Sequence, residues 1–317
     1  MKILFLTHPY PNYVPDLLLH GLRKLLGPEV VDYPRKDCLY EGVIGLGICP
    51  DDQRCPGWFP PNDGHVDRSD IPSKIQRGYF DLVVSDIRAA AGVSKQFNQL
   101  PGRWAIIDGE DQPSKIPIGP YVVFRRETDG ADYSIPLPMA LPEEVLLWIT
   151  RYDELPKRYD IGFLGSTHDG ERRRLVETLA RHYPQSLFQA TSVPSSDNPV
   201  PMGRFSRDEY YQKLQQCHVV LTLAGAGFDT FRFWENAACN AVHAAVQMPL
   251  FLPDDFIDDR EILRFVNTDE LRAKIDRLFA SENQRREHVV AGRHKLVSKH
   301  LTVHRAQYFL DHIRRIF

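Results

Sequence analysis

Residues 218–246, HVVLTLAGAGFDTFRFWENAACNAVHAAV, constrain the fold of this chain more than any other stretch. Positions 218–223 form a short run rich in Val and Leu, positions 224–228 hold two glycines, and positions 230–239 have helix-compatible spacing. The segment therefore reads as strand, glycine loop, helix. A buried strand that turns through glycines into a helix belongs to an open parallel sheet, and such sheets bind ligands beyond the carboxyl ends of their strands. Asp229 occupies the place of an N-cap, and Arg232 and Glu235 follow at spacings of three, so the three polar groups share one helix face. Phe231, Trp234 and Ala238 fall on another face. Gly227 and its neighbours let the backbone approach an anion at the helix N-terminus. The same residues also fit a plainer role, in which Asp229 only caps and Arg232 and Glu235 form a solvated pair worth roughly 0.3 kcal/mol.

At 317 residues, 43% hydrophobic and 26% charged, the chain can bury two cores of ordinary size. A proline- and charge-rich connection runs through 136–142 and 152–158, and the pattern restarts at Tyr159. We expect residues 1–155 and 156–317 to form two α/β domains, each Rossmann-like and doubly wound. The first begins with a strand at 2–7, a helix at 16–26 with leucines at helical spacing, and a strand at Val30 and Val31. It lacks a G-x-G-x-x-G turn, so no dinucleotide cofactor is expected. Strands at 80–85, 104–107 and 121–124 then run into Asp86, into Asp108 with Asp111, and into Arg125, Arg126 and Glu127. Repeated polar strand ends mark one edge of the sheet as a working face, unless these aspartates simply cap helices or start turns. In the second half, strands at 160–164, 186–189 and 261–266 join the central one. Helices are expected at 171–182, 208–216 and 269–279, with a last helix from 284 towards 317.

Composition narrows the function. A net charge of −3 gives no bulk attraction to nucleic acid, and no apolar run of 18 residues exists to span a bilayer. The apolar run at 3–6 is too short for a signal peptide, so a cytoplasmic location is expected. Five cysteines fit reduced thiols. Cys38, Cys49, Cys55 and His65 lie in an irregular stretch at 36–70, but their spacings match no C-x₂-C zinc pattern and no metal is expected.

Two such domains with polar strand ends facing across a cleft resemble the GT-B fold of nucleotide-sugar glycosyltransferases. The resemblance is clearest over 160–255, where FSRDEYYQKLQQCHVVLTLAG leads into DTFRFWENAACNAV, and it is similar to the C-terminal half of exostosin-like and CgeB-like glycosyltransferases. It implies that Glu235 accepts ribose hydroxyls, that Arg232 faces a diphosphate, and that Gly165 and Ser166 approach the phosphates from the opposite loop. It also implies a terminal helix that returns to the first domain. Retaining enzymes of this fold often carry glutamates eight apart here, and the position eight before Glu235 is Gly227; Asn240 and His243 also depart from the pattern.

The function implied is transfer of a sugar from a nucleotide donor, a UDP-sugar foremost, to an acceptor that is a glycan, a lipid-linked group, a protein or a modified base. Arg232, Arg172 or Arg204 can neutralise the departing diphosphate. An inverting transfer needs a base, and His8, at the end of the first strand, stands where some inverting enzymes of this fold carry one. Asp86 or Asp108 can orient it, and Asp111 is an alternative base. Two other readings remain: a nucleotide-binding pseudo-enzyme with the same cleft, and a transferase acting on DNA bases through a basic groove around Lys115, Arg125 and Arg126.

Overall fold

Among the described residues, eleven short strands, most of them runs of Val, Ile, Leu and Phe, assemble into two separate parallel sheets. The computed structural model describes residues 1–41, 57–60, 65–90, 102–116, 119–165, 170–190 and 205–317. The first sheet holds β1 (Ile3–Leu6), β2 (Val30–Tyr33), β3 (Leu82–Asp86), β4 (Trp104–Asp108), β5 (Tyr121–Arg125) and β6 (Ile135–Pro136), in the order β2-β1-β3-β4-β5-β6. The second holds β7 (Tyr159–Gly165), β8 (Leu187–Ala190), β9 (Cys217–Thr222), β10 (Val242–Val246) and β11 (Leu263–Phe265), in the order β11-β10-β9-β7-β8. All four residues of β1 are buried, because a parallel sheet is covered on both faces.

Both strand orders reverse once. In the first sheet the chain steps from β1 to β2 on one side and then to β3 on the other; in the second it steps from β7 to β8 and then to β9. The crevices where open α/β sheets bind ligands therefore lie beyond the carboxyl ends of β1 and β3, and of β7 and β9.

Helix α1 (Tyr13–Leu26) buries Leu17, Leu18 and Leu22, and Gly27 at φ +60° ends it. Helix α2 (Ile71–Gln76) is short, and α3 (Glu143–Thr150) lies in the connection between the sheets. Around the second sheet lie α4 (Gly170–His182), α5 (Arg207–Gln215), which opens with a Ser206–Glu209 capping box, α6 (Phe231–Ala238) and α7 (Thr268–Phe279). Two helices close the chain, α8 (Glu282–Lys299) and α9 (Thr302–Ile316).

Three elements differ from the sequence expectation. The last helix is two helices, broken where the backbone of Leu141 pairs with the chain at its turn. Leu141 N–H donates to His300 O at 3.0 Å, and Thr302 N–H donates to Leu141 O at 3.0 Å. The break lets α9 cross to α1, against which it packs so closely that a Cβ at Gly21 would come within 2.1 Å of Thr302 O. Phe309 meets Phe124 of the first sheet at 4.6 Å between ring centroids. Strand β10, VHAAV, was not foreseen because alanine carries little strand preference. The connection at 136–158 contains β6 and α3 and is fixed to the second half: Gln215 Nε2 donates to Ile149 O at 2.9 Å, and Arg293 holds both carboxylate oxygens of Asp153 at 2.6 and 2.9 Å.

Candidate active site

At the C-terminal crevice, β7 ends in Gly165 and α6 carries Arg232 and Glu235. The Arg232 guanidinium lies across Gly165, where a Cβ would stand 2.8 Å from Nη2 and 2.9 Å from Cζ. A side chain at 165 would displace it, which is why glycine ends this strand. Arg232 also sits over the Phe163 ring at 5.4 Å, and its buried Nε has no hydrogen-bond partner among the described residues. Glu235 is half-buried and accepts from Tyr211 Oη at 2.8 Å and Tyr210 Oη at 3.3 Å. Burial raises its carboxyl above the usual range, and Tyr211, Arg232 and Tyr210 pull it back. Arg172, in the first turn of α4, donates to Ala224 O in the loop that follows β9. Arg172, Arg232, Glu235 and Gly165 thus come together; Ser166 and Arg204 lie outside the described residues.

At the N-terminal crevice, the β1–α1 loop carries His8 and Asn12. Buried Lys36 ties this loop down: its Nζ donates to His8 O and Tyr10 O, both at 2.6 Å, and pairs with Asp16 Oδ1 at 2.9 Å. Asn12 precedes α1 but does not cap it with its side chain. Its backbone N–H donates to Asp16 Oδ2 at 2.9 Å, and Nδ2 reaches Asp86 Oδ1 at 3.3 Å. Arg88 grips Glu110 with two bonds, at 2.5 and 3.0 Å. Of the three carboxylates, Asp16 is paired with Lys36 and Glu110 with Arg88. Asp86 has no ion-pair partner among the described residues: its Oδ1 takes the Arg88 backbone N–H at 2.9 Å, and buried Oδ2 has no hydrogen bond. Burial raises the Asp86 carboxyl, countered by the Arg88 N–H and by the charges of Lys36, Arg88 and His8. Burial likewise raises Asp16 to about 6 despite Lys36.

His8 is half-buried and Asp86 is 1% exposed, so an incoming hydroxyl can meet the imidazole and not the carboxylate. Tyr10 N–H donates to His8 Nδ1 at 3.3 Å, which leaves the proton of the neutral ring on Nε2. Asp108 is not brought against His8. Its oxygens accept from Ser114 N–H at 2.8 Å, Ser114 Oγ at 3.0 Å and Arg125 Nε at 3.0 Å, so it organises its own loop. Asp111 is exposed and pairs with Arg126.

Asp229 does not cap α6; Thr230 is the N-cap residue. Asp229 is buried and accepts from Met139 N–H at 2.6 Å and from Trp234 Nε1 at 2.8 Å, tying the start of α6 to the connection between the sheets. Gly227 is buried against the residues that follow β5, where a Cβ would stand 2.5 Å from both Arg126 Nη2 and Glu127 Oε1. Of the three basic residues at 115, 125 and 126, Lys115 is exposed, Arg125 pairs with Asp108 and Asp132, and Arg126 pairs with Asp111 and Glu127.

An aromatic stack links the two crevices. Tyr13, the first residue of α1, stacks on Phe231, the first residue of α6, with centroids 5.1 Å apart and planes at 15°. Asn12 and Arg232 are their immediate chain neighbours.

Residues 168–311 match the family model described as glycosyl transferase-like. No curated protein matches the chain in sequence. Among solved structures, the chain is similar to Anabaena HepE in complex with UDP and glucose, at 11% identity and TM-score 0.60 over 99% of each chain. The fold is GT-B. It is also similar to an alpha-glucosyltransferase in complex with UDP-glucose and DNA containing an abasic site, at 9% identity and TM-score 0.54 over 98% of each chain. A third similar structure is the DNA-modifying enzyme beta-glucosyltransferase, at 14% identity and TM-score 0.51 over 97% of each chain.

Among the described residues, no helix is long and apolar enough to cross a membrane, and no three His, Cys, Asp or Glu side chains gather as a metal site. Cys38 is buried and His65 is exposed; Cys49 and Cys55 lie outside the described residues. Asn12, Asp16, Lys36, Arg88, Glu110, Tyr210 and Tyr211 were not foreseen as site residues. Only the YY pair beside the capping box of α5 and an asparagine at a helix start offered any signal.

Proposed function

We propose that the chain is a metal-independent, inverting glycosyltransferase that moves a sugar from a UDP-linked donor to an acceptor hydroxyl. The observation that carries this reading is the Tyr13–Phe231 stack, which sets an arginine-bearing crevice beside a crevice rich in carboxylates. In the reading, Glu235 accepts hydroxyls of the donor's ribose, and Arg232 and Arg172 face its diphosphate. His8 takes the acceptor's proton at Nδ1, releasing the Tyr10 N–H, while the charge of the Asp86 carboxylate favours the imidazolium that forms. The acceptor oxygen bonds to the anomeric carbon as the bond to the diphosphate breaks, and its electron pair leaves with a diphosphate oxygen that the arginines neutralise. The structures in complex with UDP and UDP-glucose support the choice of donor by likeness of fold. The paired arginines around Arg125 and Arg126 give no support to a DNA acceptor.

The test is release of UDP from a panel of UDP-sugars by the wild-type chain and by His8→Ala. Release that the substitution abolishes supports the enzyme. UDP binding with no release on any donor, with or without hydroxyl-bearing acceptors, supports the pseudo-enzyme instead.

A further inference from the structure

The glycine loop at 224–228, which in many nucleotide-binding folds leaves its backbone N–H groups to a phosphate, has two neighbouring donors already engaged. Glu127, just after β5 of the first domain, accepts from Phe228 N–H at 3.1 Å through Oε2 and from Asp229 N–H at 3.0 Å through Oε1. The carboxylate is 7% exposed, and Arg126 Nε holds Oε1 at 3.1 Å. Arg126 is itself pinned to the first domain by Gly109 O at 3.1 Å and by Asp111. Two more bonds cross beside this one: Phe251 N–H to Thr128 O at 3.0 Å, and Gln112 Nε2 to Ala226 O at 3.5 Å.

We infer that Glu127 is a positioning residue that docks the glycine loop onto the first domain and thereby sets α6, with Arg232 and Glu235, in register with His8 and Asp86. Chemistry and geometry agree. A buried carboxylate is a strong acceptor for paired backbone N–H groups, and removing it leaves both donors without a partner. The loop continues directly into α6, so a shift at Phe228 is carried to Phe231, the residue that stacks on Tyr13. Docking at 227–229 and the stack at 231 bracket the start of α6 from both sides. Glu127 touches neither donor nor acceptor in this account; it acts through the placement of α6. The inference rests on the proposed reaction for its kinetic consequence, but not for its structural one.

The experiment compares wild type, Glu127→Gln and Glu127→Ala in two ways. Hydrogen exchange of the 224–230 segment reads the docking directly, and the kinetics of UDP release read its consequence together with the dissociation constant for UDP. We expect exchange to quicken about tenfold or more in Glu127→Ala and less in Glu127→Gln, which keeps one acceptor oxygen. We expect kcat to fall by about 100-fold in Glu127→Ala, with UDP affinity unchanged within a factor of about two, because the donor crevice moves as a unit and carries the bound donor out of register with His8. Unchanged exchange in both variants overturns the inference. So does quickened exchange with kcat unmoved, or a loss of UDP affinity that matches the loss of kcat. If the wild-type chain releases no UDP, the proposed reaction fails, and the exchange result still decides whether Glu127 docks the loop.

Discussion

The two crevices are built from the same secondary structure and opposite charge. Around the end of β1 and β3 stand Asp16, Asp86 and Glu110 against Lys36 and Arg88, three anions to two cations, with His8 at the rim. Around the end of β7 and β9 stand, among the described residues, Arg172 and Arg232 against Glu235, two cations to one anion. A strand–turn–helix unit offers the same backbone N–H groups in either case, so the difference lies in the side chains the turns carry. One crevice is suited to receiving a proton and the other to receiving a departing anion. Transfer chemistry needs both, and the fold brings them together at Tyr13 and Phe231.

The comparison is broken most sharply at the base. Replacing His8 by alanine is expected to slow UDP release about 1000-fold, within the span general bases supply, while leaving UDP binding intact. A parallel fall in binding would merge the two crevices into one function. Next in size is Asp229, which the sequence places at the donor crevice and the structure places between Met139 and Trp234. Asp229→Ala leaves two buried donors unpartnered and is expected to cost about 3 kcal/mol of stability in denaturant unfolding. A stable variant that had lost only UDP binding would return Asp229 to the donor crevice. Arg232→Ala is expected to weaken UDP binding about tenfold to thirtyfold, measured by calorimetry, with little change in stability.

The smallest effect concerns pH. Burial raises Asp16 from 3.8 to about 6, so the folded state holds a proton that the unfolded state has released between those values. The associated stability is complete below pH 3.8 and is lost as pH rises through about 6. Relative to Asp16→Asn, which does not titrate, wild type should lose stability over that window and no further above it. The opposite slope would mean that Lys36 outweighs burial.

Much of this architecture was legible because parallel strands buried on both faces read as short apolar runs, as ILFL and LVVSD do. Helix α6 was legible from its one apolar face, and the grouping of Arg232 with Glu235 from their spacing. Strand β10 was hidden by its alanines. The break before Thr302 was hidden because its cause, the backbone of Leu141, lies far away in sequence. The same reason hid Glu127 and misplaced Asp229: the backbone partners of Glu127, and Met139 for Asp229, lie about a hundred residues away in sequence, and no local pattern reports such a contact. Asp108 and Asp86 look alike at their strand ends, and only the neighbours differ, Ser114 and Arg125 closing over one while an oxygen of the other stays unpartnered.

The most direct test of the division between the crevices is one set of UDP titrations, by calorimetry, on wild type, Arg232→Ala and His8→Ala. The account predicts saturable binding to wild type, the same affinity for His8→Ala, and an affinity lower by about tenfold or more for Arg232→Ala. No binding to wild type, or binding lost with His8 and kept without Arg232, would contradict it.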